Sequence, residues 1–500
     1  MTKSYIRRIL QSHVYDVARE TPVDTARQLS KKLNNTVYLK REDLQPVFSF
    51  KIRGAYNKIM ALTPAQLAQG VITASAGNHA QGVALSAQRL GIHATIVMPK
   101  TTPGIKVKSV QNYGAKAVLH GNTYNEAYDH ATQLAGEKGY TFVHPYDDPD
   151  VIAGQGTVGM ELLRQVRTID AIFVPVGGGG LIAGIAAYVK YVNPKIKIIG
   201  VEPNDAACLA AAMKANDRVI LPEVGIFVDG VAVKQIGEEP FRIAQSCVDD
   251  VITVSTDEVC ASIQDIFEDT RAIAEPAGAL ALAGLKRYAH LNNITQQHLV
   301  AIISGANINF HRLQHISERA EIGEGREALL AVTIPEQAGS FRTFCRTLGT
   351  RGITEFNYRY NDPSLAVVFV GIETHEHERP AVIQALTEQG FEVEDLSDNE
   401  IAKVHIRHMV GGRKPVDDER LFHFEFPERP GALMNFLNKI GNQRNISLFH
   451  YRNHGADFGR VLAGIQIPDA DYADFVARLT TIGYPFRDET QNPVYRLFLK

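Results

Sequence analysis

Between residues 35 and 309 the chain alternates short, unbroken apolar runs with longer stretches whose apolar residues recur at helical spacing. VITAS (71–75), ATIVMP (94–99), KAVLH (116–120), AIFVPV (171–176), KIIGVE (197–202) and VAIISG (300–305) are Val/Ile-rich and flanked by glycine or proline, which predicts buried strands. AQGVALSAQRLG (80–91) and NEAYDHATQLAGEKG (125–139) carry the helical period and stop at a glycine suited to a C-cap. Strand and helix in alternation imply an α/β fold with a parallel sheet covered on both faces. In such sheets ligands settle at the carboxyl ends of strands, so chemistry is sought in the loops that lead from strand into helix.

Near residue 320 the pattern changes. SERAEIGEGRE (317–327) is polar and acidic and reads as a linker. Beyond it AVTIPEQAGSFRTFCRTLG (331–349) matches HFEFPERPGALMNFLNKIG (423–441) at Pro335/Pro427, Glu336/Glu428, Gly339/Gly431, Phe344/Phe436 and Gly349/Gly441, each pair 92 residues apart. After one extra residue in the second copy, EFNYRY (355–360) meets LFHYRN (448–453), which sets Tyr358 against Tyr451. Each copy reads as strand, loop, helix and strand, followed by further strand and helix signals: a small α+β unit used twice. The expected domains are therefore 1–320, 328–400 and 420–495.

Five hundred residues exceed one compact core, in keeping with several domains. A net charge of −3, with no run of basic residues, argues against nucleic-acid binding. Cys208, Cys247, Cys260 and Cys345 are far apart, forming neither a disulfide framework nor a zinc motif, which suits a reducing cytosol. The charged start, MTKSYIRRILQSHVYDVARETP, has no apolar core of a secretory signal. The uncharged segment 171–189 approaches membrane-spanning length, but a proline and four glycines interrupt it, so strand, loop and helix are expected instead.

Three strand-end loops and one lysine stand out. SAGNHAQG (75–82) opens a helix whose free N–H groups attract an anion, with Ser75 and Asn78 as added donors; a tight turn with an Asn cap explains the same residues. GGGG (177–180) followed by Leu181 is costly to order unless bare backbone is needed, for a phosphate or for a close helix–sheet crossing. Its spacing is not that of a dinucleotide fingerprint. SGAN (304–307) places Ser304 at a strand end. Lys51, in SFKIRGAYNK (49–58), is alone no more than a helix-terminal charge. Together, a phosphate cup and a lysine without a Walker pattern suggest a phosphorylated cofactor held covalently.

In this order and spacing the four segments resemble pyridoxal-phosphate enzymes of the tryptophan-synthase-β type, and among them the serine/threonine dehydratases. The whole chain, a catalytic half followed by two ACT-like modules, is similar to the regulated, biosynthetic branch of that family. The resemblance implies a two-lobed catalytic domain that converts L-threonine to 2-oxobutanoate and ammonia, and L-serine to pyruvate. A serine-preferring dehydratase or racemase on the same scaffold, or a silent amino-acid sensor, are the alternatives; the long tail disfavours the first and intact Lys51, Asn78 and Ser304 the second. By the same resemblance Lys51 is joined to the cofactor aldehyde and later removes the Cα proton. Asn78 meets the ring hydroxyl, and Ser75, Ala76, Gly77, Asn78 and His79 grip the substrate carboxylate. Gly177, Gly178, Gly179, Gly180 and Leu181 hold the phosphate, and Ser304 faces the pyridine nitrogen.

Phe50 packs beside the cofactor or simply in the core, and Glu275 in AEPAGA complements a helix dipole or serves the site. Relatives with a divalent site use Glu, a backbone carbonyl and Asp after the VEP-like strand. Here Glu202 and Ala206 are followed by Cys208 in place of the Asp, so no such metal is expected. The tail is expected to sense isoleucine, opposed by valine, through Tyr358 and Tyr451, in a cytoplasmic homotetramer.

Overall fold

The computed structural model describes residues 2–335, 337, 340–349, 351–357, 364–409, 416–427, 436, 445–452 and 458–499. The chain divides into two units, Met1–Asn309 and Phe310–Lys500.

The first unit contains two sheets. A six-stranded sheet runs in the order Val23–Thr25, Thr36–Arg41, His298–Ile303, Ala171–Pro175, Lys197–Pro203 and Asp250–Val254. All its neighbours are parallel except the first pair. A four-stranded parallel sheet runs Lys116–Leu119, Ala94–Met98, Val71–Ala74 and Thr141–Phe142. Each sheet has its own apolar core, so the unit is two-lobed as expected. All six expected strands are present. The uncharged segment 171–189 is a strand, a glycine loop and the helix Gly180–Val192, and among the described residues no helix is long and apolar enough to cross a membrane.

A buried ion network ties the helix that begins at Lys51 into this frame. Lys40 Nζ lies 2.6 Å from Glu161 Oε2, and the Arg53 guanidinium reaches Glu42 at 2.7 Å and Glu161 at 2.5 Å. All four residues are fully buried. Thr21 Oγ1 donates to Glu42, Tyr15 OH donates to Glu161, and the Lys40 ammonium also donates to Thr21 O. Two cations and two anions cancel, and the extra hydrogen bonds offset part of their desolvation.

The second unit repeats one design. Its first sheet runs Ile353–Asn357, Leu365–Glu373, Glu327–Pro335 and Glu392–Asp395; its second runs Ile446–Arg452, Phe458–Gln466, Glu419–Pro427 and Phe486–Asp488. Both are antiparallel throughout, and each breaks register at the same place, between Ile353 and Glu355 and between Ile446 and Leu448. Ser397 Oγ accepts from Leu329 N, and Thr490 Oγ1 accepts from Leu421 N in the same role. The repeat partners Asn399 and Asn492 bond directly, Nδ2 to Oδ1, at 3.1 Å. Phe344 and Phe436 are both fully buried, whereas Glu336, Gly339, Glu428, Gly431 and Gly441 lie outside the described residues.

The acidic stretch 317–327 is not a linker. It forms the end of the helix Arg312–Gly323, a turn at Gly325 with φ +64°, and the start of the strand Glu327–Pro335. The apolar side of that helix is buried at Ile316 and Ala320, and a helix with only one buried face reads as polar. The division of the chain therefore falls at 309/310 rather than at residue 320.

Glu161→Gln leaves two buried cations facing one carboxylate and is expected to destabilise the first unit by about 3–5 kcal/mol. Breaking the half-exposed Arg8–Asp150 pair by Arg8→Ala is expected to cost under about 1 kcal/mol. Denaturant midpoints of the two variants measure the contrast.

Candidate active site

Lys51 is the first residue of the helix Lys51–Met60. The segment before it is stitched to the SGAN loop: Phe50 N donates to Ser304 O at 3.1 Å, Ala306 N donates to Phe48 O at 2.9 Å, and Ser49 bridges Gly305. Lys51 and Ser304 thus belong to one rigid seam. The half-buried Lys51 ammonium donates to Pro145 O at 2.9 Å and lies 5.3 Å from the centre of the Phe50 ring. Burial lowers its pKa to about 8, against the opposing pull of the Glu275 carboxylate.

The next residue, Tyr146, connects Lys51 to the glycine loop. A Cβ on Gly178 would fall 2.1 Å from the Tyr146 ring, and Gly179, at φ +89°, is the N-cap of the helix Gly180–Val192 without a side-chain cap. Bare backbone here serves close packing as well as exposing the helix N-terminus. Leu181 is buried in the main core behind them.

SAGNHAQG forms the third wall. Gly77 is the uncapped N-cap of the helix Asn78–Leu90, and a Cβ there would meet nothing within 4 Å, so the loop front is open. Ser75 Oγ accepts from Gly77 N. His79 donates from Nε2 to Val143 O at 2.9 Å, which leaves Nδ1 buried without a partner. Asn78 joins two other loops: its Nδ2 donates to Glu275 Oε1, and its Oδ1 accepts from Asn307 Nδ2, each at 2.6 Å. Ser304 Oγ, almost fully buried, donates to Ala277 O. His79 and His144 are pushed down by burial, to about 3 and about 4, and stay neutral beside Lys51.

These groups fit a phosphorylated aldehyde. The site offers an amine of lowered basicity, two helix N-termini without side-chain caps, and a neutral hydroxyl. Residues 14–305 match the model of the pyridoxal-phosphate dependent enzymes, and residues 318–406 and 410–499 each match the C-terminal regulatory domain of threonine dehydratase. The chain is 56% identical to the L-threonine dehydratase biosynthetic IlvA of Burkholderia multivorans, over 99% of both chains.

The chain belongs to the biosynthetic threonine dehydratase family.

Within that family it is 52% identical to the mitochondrial threonine dehydratase of Saccharomyces cerevisiae, over 100% of this chain and 90% of the other. Among solved structures, the processed form of threonine deaminase isoform 2 from Solanum lycopersicum superposes with a TM-score of 0.63 at 48% identity. That match covers 64% of this chain and 93% of the other. Family membership makes pyridoxal phosphate the cofactor.

Tyr146, His144 and Asn307 escaped the sequence reading. The first two follow the strand Thr141–Phe142, whose two residues are too few to register as a periodic signal. Asn307 lies within SGAN, but the loop's sequence holds no hint of its hydrogen bond to Asn78. Of the effector pair, Tyr358 lies outside the described residues and Tyr451 is on the strand Ile446–Arg452.

In this dehydratase-family chain the Glu202 carboxyl accepts from Leu209 N and Ala210 N, each at 2.8 Å, at the start of the helix Cys208–Ala215. Cys208 Sγ donates to Gly177 O at 3.3 Å, beside the glycine loop. Burial nonetheless raises Glu202 to about 7 from 4.5. A carboxyl whose pKa is higher in the folded state contributes fully below the unfolded value, and the contribution is lost as pH rises through the folded one. Stability is therefore expected to fall between about pH 4.5 and 7 by up to about 3 kcal/mol, and Glu202→Gln to flatten that slope. Unfolding curves across that range test it.

Proposed function

We propose that this chain dehydrates and deaminates L-threonine to 2-oxobutanoate and ammonia, and acts on L-serine to give pyruvate. The observation that carries the reading is the meeting of Lys51, the glycine loop, Asn78 and Ser304 in one unit whose family is that of the threonine dehydratases. When bound, pyridoxal phosphate supplies a conjugated sink for the electron pair left at Cα.

The rest is the work of the protein. Lys51 would hold the cofactor covalently through Nζ, and its amine, once free, would take the Cα proton. A pKa near 8 suits that duty, because the free amine is present at useful concentration near neutral pH. The backbone from Ser75 to His79, at the uncapped start of its helix, orients the substrate carboxylate. Gly177 to Leu181 would offer a second helix N-terminus to the phosphate. Asn78 would donate to the ring oxygen and Ser304 would face the ring nitrogen, where a neutral hydroxyl would favour prompt loss of the β-hydroxyl over a long-lived carbanion. Loss of the Cα proton and the β-hydroxyl leaves 2-aminocrotonate, which tautomerises and is hydrolysed to 2-oxobutanoate and ammonia.

Two regulatory matches support control by small amino acids, isoleucine as inhibitor opposed by valine, with Tyr358 and Tyr451 at the equivalent sites. The four free cysteines suit a reducing compartment, and a cytoplasmic homotetramer completes the reading.

Lys51→Ala is expected to abolish both the visible absorbance of the bound cofactor and 2-oxobutanoate formation; turnover of threonine by the variant would refute the role of Lys51. Tyr451→Ala and Tyr358→Ala are each expected to raise the isoleucine concentration for half-inhibition at least about tenfold, equivalent to about 1.4 kcal/mol, with kcat little changed. Inhibition curves identical to the parent's would place the effector elsewhere.

A further inference from the structure

Glu275 stands at the N-cap of the helix Pro276–Leu291, with the extended backbone of a capping residue (φ −71°, ψ 161°), yet its side chain caps nothing on that helix. The buried carboxylate turns away and accepts from Asn78 Nδ2 at 2.6 Å. Its backbone N donates to Gly305 O, and a Cβ on Gly305 would fall 2.4 Å from Glu275 Oε1, so the glycine is what lets the carboxylate in. A group that leaves the natural role of its position needs another reason to be there.

The hydrogen bonds around it have a fixed direction. Asn307 Nδ2 donates both to Val47 O at 2.8 Å and to Asn78 Oδ1 at 2.6 Å; Asn78 Nδ2 donates in turn to Glu275. A carbonyl at one end and a carboxylate at the other are acceptors only, so neither amide between them can turn over without losing both of its bonds. Asn78 Nδ2 carries two hydrogens, and this chain of bonds uses one of them. The other is left with a defined direction.

Resting on the reading that Lys51 and Asn78 hold the cofactor, we propose that Glu275 is a positioning residue, which fixes the Asn78 amide with its N–H towards the cofactor ring oxygen. The groups acting on the Lys51 amine report on the same carboxylate. His79 and His144 are neutral, and Glu275 is the anion whose charge favours the ammonium against the effect of burial.

The test uses the full-length protein freed of cofactor. Brief methylation with formaldehyde and cyanoborohydride, counted at Lys51 by peptide mass spectrometry across pH, reads the amine directly. Glu275→Gln is expected to lower the pH midpoint of Lys51 labelling by about one unit. It is also expected to weaken pyridoxal phosphate binding at least about tenfold, because a glutamine amide can donate as well as accept and no longer pins Asn78. Glu275→Asp keeps the charge but is one methylene short: it should hold the labelling midpoint and still lose affinity. A structural role alone would leave the midpoint at the parent's value in Glu275→Gln; that result, or pyridoxal phosphate affinity at the parent's value, overturns the proposal. Should Glu275→Gln fail to fold, Asn307→Ala opens the other end of the chain of bonds. It is expected to weaken cofactor binding with an unchanged midpoint, and unchanged affinity would overturn the proposal. Borohydride fixation of pyridoxal phosphate in the parent protein reports separately on Lys51; a label on another lysine would refute the reading above without altering how the formaldehyde midpoint reports on Glu275.

Discussion

Everything in the first unit depends on the sealed ion network of Lys40, Glu42, Arg53 and Glu161. Arg53 is two residues beyond Lys51 on the same helix, and its guanidinium is bonded on both sides by buried carboxylates. A helix held this way has one register. Slipping it by a residue would strand charges in the core, at a cost of several kcal/mol per ion. The position of the Lys51 amine is therefore settled from below, by electrostatics with no part in the reaction, before any ligand arrives. The seam from Phe48 to Lys51 against Ser304 to Ala306 then brings the second loop to it.

That hierarchy explains what could be read from the sequence. The apolar strands were legible because burial on both faces of a parallel sheet leaves continuous Val/Ile runs. The three strand-end loops were legible because unusual backbone needs unusual residues. What stayed hidden were contacts made by ordinary residues through tertiary packing. The strand Thr36–Arg41 ends in Lys40 and Arg41, which look solvated until Glu161 and Asp43 are brought to them. Tyr146 reaches the glycine loop from a strand of two residues. Glu275 was visible as a helix-start carboxylate, but its turn towards Asn78, 197 positions away, leaves no local trace. The acidic stretch before the repeat misled because an amphipathic helix with a narrow buried face has the composition of a linker.

The second unit makes a related point about repeats. Identities 92 residues apart identified the modules, and the structure extends the equivalence to hydrogen bonds that the identities did not include. Glu327 and Glu419 occupy matching positions, are both buried, and accept from the matching hydroxyls of Thr354 and Ser447. Their remaining partners differ: Arg407 pairs with Glu327, whereas Tyr495 donates to Glu419. One fold thus carries two charge environments.

The same logic of opposed effects governs the Lys51 amine. An exposed lysine with a pKa of 10.5 would be free base in well under about one molecule in a thousand at neutral pH, whereas at about 8 the fraction is roughly one in ten. Burial provides that gain, and it acts on any cation placed there. Burial alone would also leave the surroundings of the amine without an anion to which Asn78 could donate. Glu275 returns part of the basicity and in exchange fixes the orientation of the amide. The site works at the balance between a dry wall that frees the amine and a single carboxylate that keeps its neighbours in order.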